Sequence, residues 1–170
     1  EWAIMDLAAM AVGAAAAGIY WTRAPVEVEY VLEHSKARVL LVENAAQYEK
    51  IRAARSHLSH LQHVIIMSEH GLPEVMAWPE FLALGTQQYH AELQQRLANI
   101  QQQDLGCLIY TSGTTGAAKA VMLSHASLAW VRQSIVEWYV ANDQDRLLSY
   151  LPMAHIAEQM GAIHAQAEAG

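Results

Sequence analysis

Apolar residues gather along this chain in short unbroken runs: "VLLV" at 39–42, "VIIM" at 64–67, "CLIY" at 107–110 and "LLSYL" at 147–151. A strand with one wet face alternates polar and apolar positions, whereas a strand in a parallel sheet covered on both faces does not. The runs therefore predict buried parallel strands. Between them the spacing changes to that of helices. Pro25 suits a first helical turn, and "VEVEYVLEHSKA" after it predicts a helix with Val26, Tyr30 and Val31 turned inward. "AAQYEKIRAARSHL" places Tyr48, Ile51 and Arg55 on a helical period. "QQYHAELQQRLANIQQQ" spaces Tyr89, Leu93, Leu97 and Ile100 along one face, opposite a Gln-rich one. Ser124 caps a last long helix lined by Leu128, Val131, Ile135 and Trp138. Strands alternating with helices predict an α/β fold of mostly parallel sheets flanked by helices.

Two stretches fit the alternation less well. "SEHGLPEVMAWPEFLALG" (68–85) reads as a loop with a short helix, because Gly and two prolines interrupt it. "LAAMAVGAAAAGIYW" (7–21) is apolar but shorter than the roughly 18 to 20 residues a bilayer demands, and acidic residues precede it. It predicts a small-residue helix packed tightly inside a soluble domain.

Composition narrows the function classes. Hydrophobic residues make up 54% of the chain and charged ones 16%, which excludes a disordered tail and suggests apolar faces that want a partner. A net charge of −7 with no basic stripe argues against nucleic acid, so a bound polyanion would be held by local geometry. The single Cys107, among Leu105, Leu108 and Ile109, reads as a buried strand residue in a reducing, cytoplasmic setting. His57, His60 and His63 recur every three residues, but no carboxylate or Cys completes a tetrahedral set, so they predict no metal site. The chain opens at Glu1 without Met and ends in "AIHAQAEAG"; both ends read as cut.

The chemistry concentrates in "YTSGTTGAAKAVMLSH" (110–125), which follows the strand "CLIY" and leads through the apolar "AVML" into the Ser124 helix. Its spacing is not that of the common nucleotide-triphosphatase loop, which opens directly into a helix. Glycines let successive N–H groups converge on an anion, hydroxyls add donors, and Lys119 adds a point charge. Composition alone leaves an anion cradle and an ordinary polar surface loop equally open.

"LIYTSGTTGAAK" resembles the phosphate-binding signature of the AMP-forming acyl- and aryl-adenylating enzymes. "LSYLPMAHIAEQ" resembles a segment of long-chain fatty acid–CoA ligases, and "MAVGAAAAGIYWTRAPVEVEYVLEHSKARVLLVEN" is similar to the part of those ligases leading into their first sheet. The three segments follow the family's order and span nearly the whole chain. The departures are Ala118 and Ala120, where members usually carry Pro and Gly, and Gln159, where many carry Arg. A positive φ at Ala120 would cost about 1 kcal/mol.

The resemblance implies formation of an acyl-adenylate from ATP and a fatty acid or other carboxylate, then of a thioester with coenzyme A. Thr111, Ser112, Gly113, Thr114, Thr115 and Gly116 would cradle the β- and γ-phosphates, with Lys119 neutralising the charge that develops there. His155 would orient the acyl carboxylate, though as a residue alone it also fits a core histidine; Glu158 reads as a brace for its loop. Residues 1–170 would be an incomplete part of a large N-terminal AMP-binding domain. The magnesium ligand and the C-terminal domain lie beyond it, so the isolated chain is expected to be inactive. Other readings are an adenylating ligase for an aryl, amino or short-chain acid, and a non-catalytic nucleotide-binding relative. A peripheral position on the inner face of a membrane is compatible with all of them.

Overall fold

The computed structural model describes residues 1–68, 71–111, 117–140 and 142–169. It is α/β, with two compact units: Glu1–Met5 with Trp21–Glu92, and Asp6–Tyr20 with Leu93–Gly170. The chain begins with α1 (Trp2–Ala11) and then β1 (Ala16–Gly18). The small-residue helix expected over 7–21 is thus corrected: α1 stops at Ala11 and the second half is strand. Gly13 takes φ +78, a left-handed conformation that glycine adopts without steric cost and that ends a helix.

In the first unit, α2 (Pro25–Ser35) opens on Pro25, and the Glu27 side chain reaches back to accept from the Ala24 N–H at 2.9 Å. Its buried face is Val28, Val31 and Leu32; Val31 is inward as expected, but Tyr30 is only half-buried and Val26 is 70% exposed. Positions 28, 31 and 32 form the three-and-four spacing of a helix stripe, and Val26 lies outside it. Then come β2 (Val39–Val42), α3 (Ala45–Arg52), β3 (His63–Ile66), β4 (Met76–Ala77) and α4 (Trp78–Ala83). Asn44 caps α3 by accepting from the Gln47 N–H at 3.1 Å, and Tyr48 and Ile51 are buried as expected. Yet α3 ends at Arg52, and Arg55 falls in the turn that follows. β2, β3 and β4 form a parallel sheet in that order. Val64, Ile65 and Ile66 are buried in succession, the mark of a strand covered on both faces.

The second unit continues from β1 with α5 (His90–Asn99), β5 (Leu105–Thr111), β6 (Lys119–Ser124) and α6 (His125–Tyr139). A helical run closes it: α7 (Ile156–Gln159), a π-helical segment Met160–His164 and α8 (Ala165–Ala169). The sheet order is β1-β5-β6, with β1 parallel and β6 antiparallel to β5. The core is Met10, Cys107, Ile109, Leu128 and Met160, with Leu123, Val131, Ile135 and Ile156 packed around it. Ser124 caps α6 by accepting from the Ser127 N–H at 3.2 Å. Leu128, Val131 and Ile135 face inward, but Trp138, placed on the same side by periodicity, is 86% exposed near the helix end.

The run at 147–151 is not a strand. It is irregular, with Leu147, Leu148 and Tyr150 exposed. An apolar run becomes a strand only beside a partner for its N–H and C=O groups, and none of the described strands pairs with it.

Candidate functional site

The site is built on a hairpin. β5 and β6 pair Ile109 with Val121, Tyr110 with Ala120 and Thr111 with Lys119. Thr111 and Lys119 are therefore the two posts from which the glycine-and-hydroxyl loop springs. Directly opposed side chains in an antiparallel pair share a face, with Cβ atoms roughly 5 Å apart. Ser112, Gly113, Thr114, Thr115 and Gly116 lie outside the described residues.

Strand alternation then decides where Lys119 stands. Lys119, Val121 and Leu123 occupy one face of β6, and Ile109 and Thr111 the same face of β5. That face forms one wall of a cleft of about 270 Å³, with Thr111, Ile109, Val121 and Leu123 on the hairpin, Ser127, Leu128 and Val131 on α6, and Ile156 and Met160 opposite. Lys119 is exposed and stands on the same face of β6, beside Thr111, where the loop ends.

Ala120 sits in β6 opposite Tyr110, and among the described residues the only non-glycine residues at positive φ are Lys36 and Val140. The strain that alanine would meet at a positive φ is therefore absent from Ala120. Ala118, just before β6, is half-buried.

His155 is half-buried and forms the N-cap of α7; its Nδ1 accepts from the Ala157 N–H at 3.1 Å, and its own N–H donates to the Pro152 carbonyl at 2.8 Å. With Nδ1 used as an acceptor, a neutral His155 carries its proton on Nε2 and presents a donor there. Its neighbour Ile156 lines the cleft that Thr111 lines from the other side. The structure thus brings Thr111, at the root of the glycine-and-hydroxyl loop, and the His155 segment to one cleft of one unit.

Glu158 and Gln159 are more than 90% buried. Glu158 Oε2 accepts from the Leu151 N–H at 3.1 Å, as the bracing reading expects, and Gln159 Nε2 donates to the Met153 carbonyl at 2.9 Å. Nothing local in the sequence marks the contact of Gly18 with Ala154, because it joins segments far apart in the chain.

The same unit holds a second set of buried polar groups that sequence reading missed. Asp6 on α1 faces His164, with Oδ2 3.9 Å from Nε2, both nearly without solvent exposure. Burial pushes the Asp6 carboxyl up to about 6 and lowers His164, which Arg132 lowers further. Cys107 is buried in β5 as expected, and burial, then the Asp6 charge, push its thiol up to about 11. It is an unreactive thiol. His57 and His60 lie exposed in turns rather than on a helix, and His63 begins β3. Among the described residues no group of three His, Cys, Asp or Glu side chains is arranged to hold a metal ion, and no helix is long and apolar enough to cross a membrane.

Residues 1–169 match the family described as AMP-binding enzyme. The chain belongs to the AMP-binding enzyme family. It is 36% identical over 167 residues to the long-chain-fatty-acid–CoA ligase ACSBG2 of Xenopus laevis, covering 94% of this chain and 23% of that protein. Against the human protein of the same name it is 35% identical over 167 residues, covering 94% and 25%. The chain therefore spans about a quarter of the length of these curated relatives. A solved long-chain-fatty-acid–CoA ligase from Archaeoglobus fulgidus shares its fold, with a TM-score of 0.73 at 21% identity, over 99% of this chain and 31% of that one.

Proposed function

We propose that this AMP-binding chain is part of the N-terminal domain of an ATP-dependent long-chain fatty acid–CoA ligase. The observation that carries the reading is the shared cleft, lined by Thr111, the strand partner of Lys119, and across from it by Ile156, beside His155. The relatives' names support a long-chain acid over an aryl, amino or short-chain one.

In this reading the carboxylate attacks the α-phosphorus of ATP, and negative charge grows on the departing β,γ-phosphates. The loop from Thr111 to Gly116 supplies backbone N–H and hydroxyl donors to those oxygens, and Lys119 supplies a full charge. Preorganised donors of this kind stabilise such a transition state. His155, donating from Nε2, holds one carboxylate oxygen so that the other faces phosphorus. Magnesium, when bound, would neutralise phosphate charge; among the described residues no group of three His, Cys, Asp or Glu side chains is arranged to hold a metal ion.

The complete protein is expected to catalyse ATP–pyrophosphate exchange dependent on long-chain fatty acids. A panel of carboxylates tests this. Exchange supported only by aryl, amino or short-chain acids would replace the substrate class, and exchange with none would sink the ligase reading. A chain spanning a quarter of its relatives is expected to form no acyl-CoA by itself.

A further inference from the structure

The segment that carries His155 is held from behind by two side chains whose roles the resemblance leaves open. Residues 151–155 form no regular structure, and the run before them, 142–150, is exposed. Backbone in that state needs partners from elsewhere to keep one position. Glu158 Oε2 takes the Leu151 N–H, and Gln159 Nε2 donates to the Met153 carbonyl. Just after these two anchors Ala154 presses on the bare Cα of Gly18: a Cβ there would lie 2.9 Å from the Ala154 Cα and 3.4 Å from Gln159 Nε2. Burying a carboxylate is costly, and Glu158 Oε1 finds no hydrogen-bond partner among the described residues. That cost is set against one service, the bond to Leu151.

We propose that Glu158 and Gln159 are positioning residues, which clamp the 151–154 backbone against β1 and thereby fix where the Nε2–H of His155 points. The chain of contacts is short. Both side chains leave the first turn of the helix that His155 caps, so the imidazole and its supports ride on one rigid element. Gly18 completes the clamp, since only a residue without Cβ admits Ala154 so closely. The proposal rests on the ligase reading for the use of His155, but its geometry can be tested apart from turnover.

The experiment uses the full-length ligase with H155A, E158A, E158Q and the double variant H155A/E158A, followed by fatty-acid-dependent ATP–pyrophosphate exchange. H155A and E158A should each lower kcat by about tenfold to a hundredfold, with KM for ATP changed by less than about twofold. E158Q, whose side-chain carbonyl can still accept from Leu151, should recover most of the loss. The double variant should be no slower than H155A, because Glu158 acts through the imidazole. Multiplying losses, or an unimpaired E158A, would overturn the positioning role and leave the ligase reading standing. An unimpaired H155A would overturn it as well. If E158A does not fold, Q159M removes the Met153 bond at similar volume and must show the same dependence on His155. The nitrogen NMR signals of His155 give a readout without catalysis. The wild type should show one tautomer with the proton on Nε2, and E158A or Q159M a mixture; an unchanged spectrum in both variants would overturn the proposal even in a protein that catalyses no exchange.

Discussion

Gly18 in β1 and Ala154, just before His155, meet backbone to backbone: a Cβ added to Gly18 would stand 2.9 Å from the Ala154 Cα and 3.3 Å from its Cβ. Neither atom is the end of a flexible side chain, so one segment must give way. Gly18→Ala is expected to destabilise the protein by roughly 1–3 kcal/mol, as overpacking does. Urea denaturation of the two proteins measures it, and equal midpoints would mean the contact is loose.

That contact shows why part of the fold was legible from sequence and part was not. Strand β3 could be read because burial on both faces leaves no polar position in Val64–Ile66. The two strands beside the loop could be read because apolar runs flank a glycine-rich stretch, but their antiparallel pairing could not. In contrast, "GAAAAG" has the composition of a tight helix, and only Gly13 at φ +78 and the pairing of Ala16–Gly18 with Cys107–Ile109 make it a strand. The 147–151 run has strand composition with no strand to pair with. Pairing is a tertiary fact, and local sequence does not carry it. The site divides in the same way. Thr111, Lys119 and His155 announce themselves by resemblance, whereas Asp6 and His164 meet only after folding.

Asp6 makes stability depend on pH. Its folded carboxyl titrates at about 6, above the ordinary 3.8, so the protonated form is the one the fold favours. The contribution is fully present below pH 3.8 and is lost as pH rises through about 6. His164, lowered by burial, acts in the opposite sense and loses stability as pH falls. Asp6→Asn isolates the carboxylate. Between pH 5 and 7.5 the variant should gain about 1.5 kcal/mol of stability relative to wild type. Chemical denaturation at the two pH values gives the difference, and a constant difference would show that Asp6 is ionised without penalty.

Ala120 stands where family members usually carry Gly, yet it is a paired strand residue opposite Tyr110. Restoring glycine should therefore bring no relief. Ala120→Gly is expected to lose about 0.5–1 kcal/mol of stability, the entropic cost of Gly in a strand, with KM for ATP unchanged. A tighter KM for ATP would mean that alanine here restrains the phosphate loop.

Lys119 tests the account most directly. It stands opposite Thr111 at the root of the loop, and its charge is assigned to the departing pyrophosphate. In the full-length protein, on the proposed ligase reading, Lys119→Ala should lower kcat/KM for ATP in pyrophosphate exchange by about a hundredfold, the scale of losing one preorganised donor, with KM for the fatty acid nearly unchanged. A variant that turns over ATP as the wild type does would contradict the assignment of this hairpin to the phosphates.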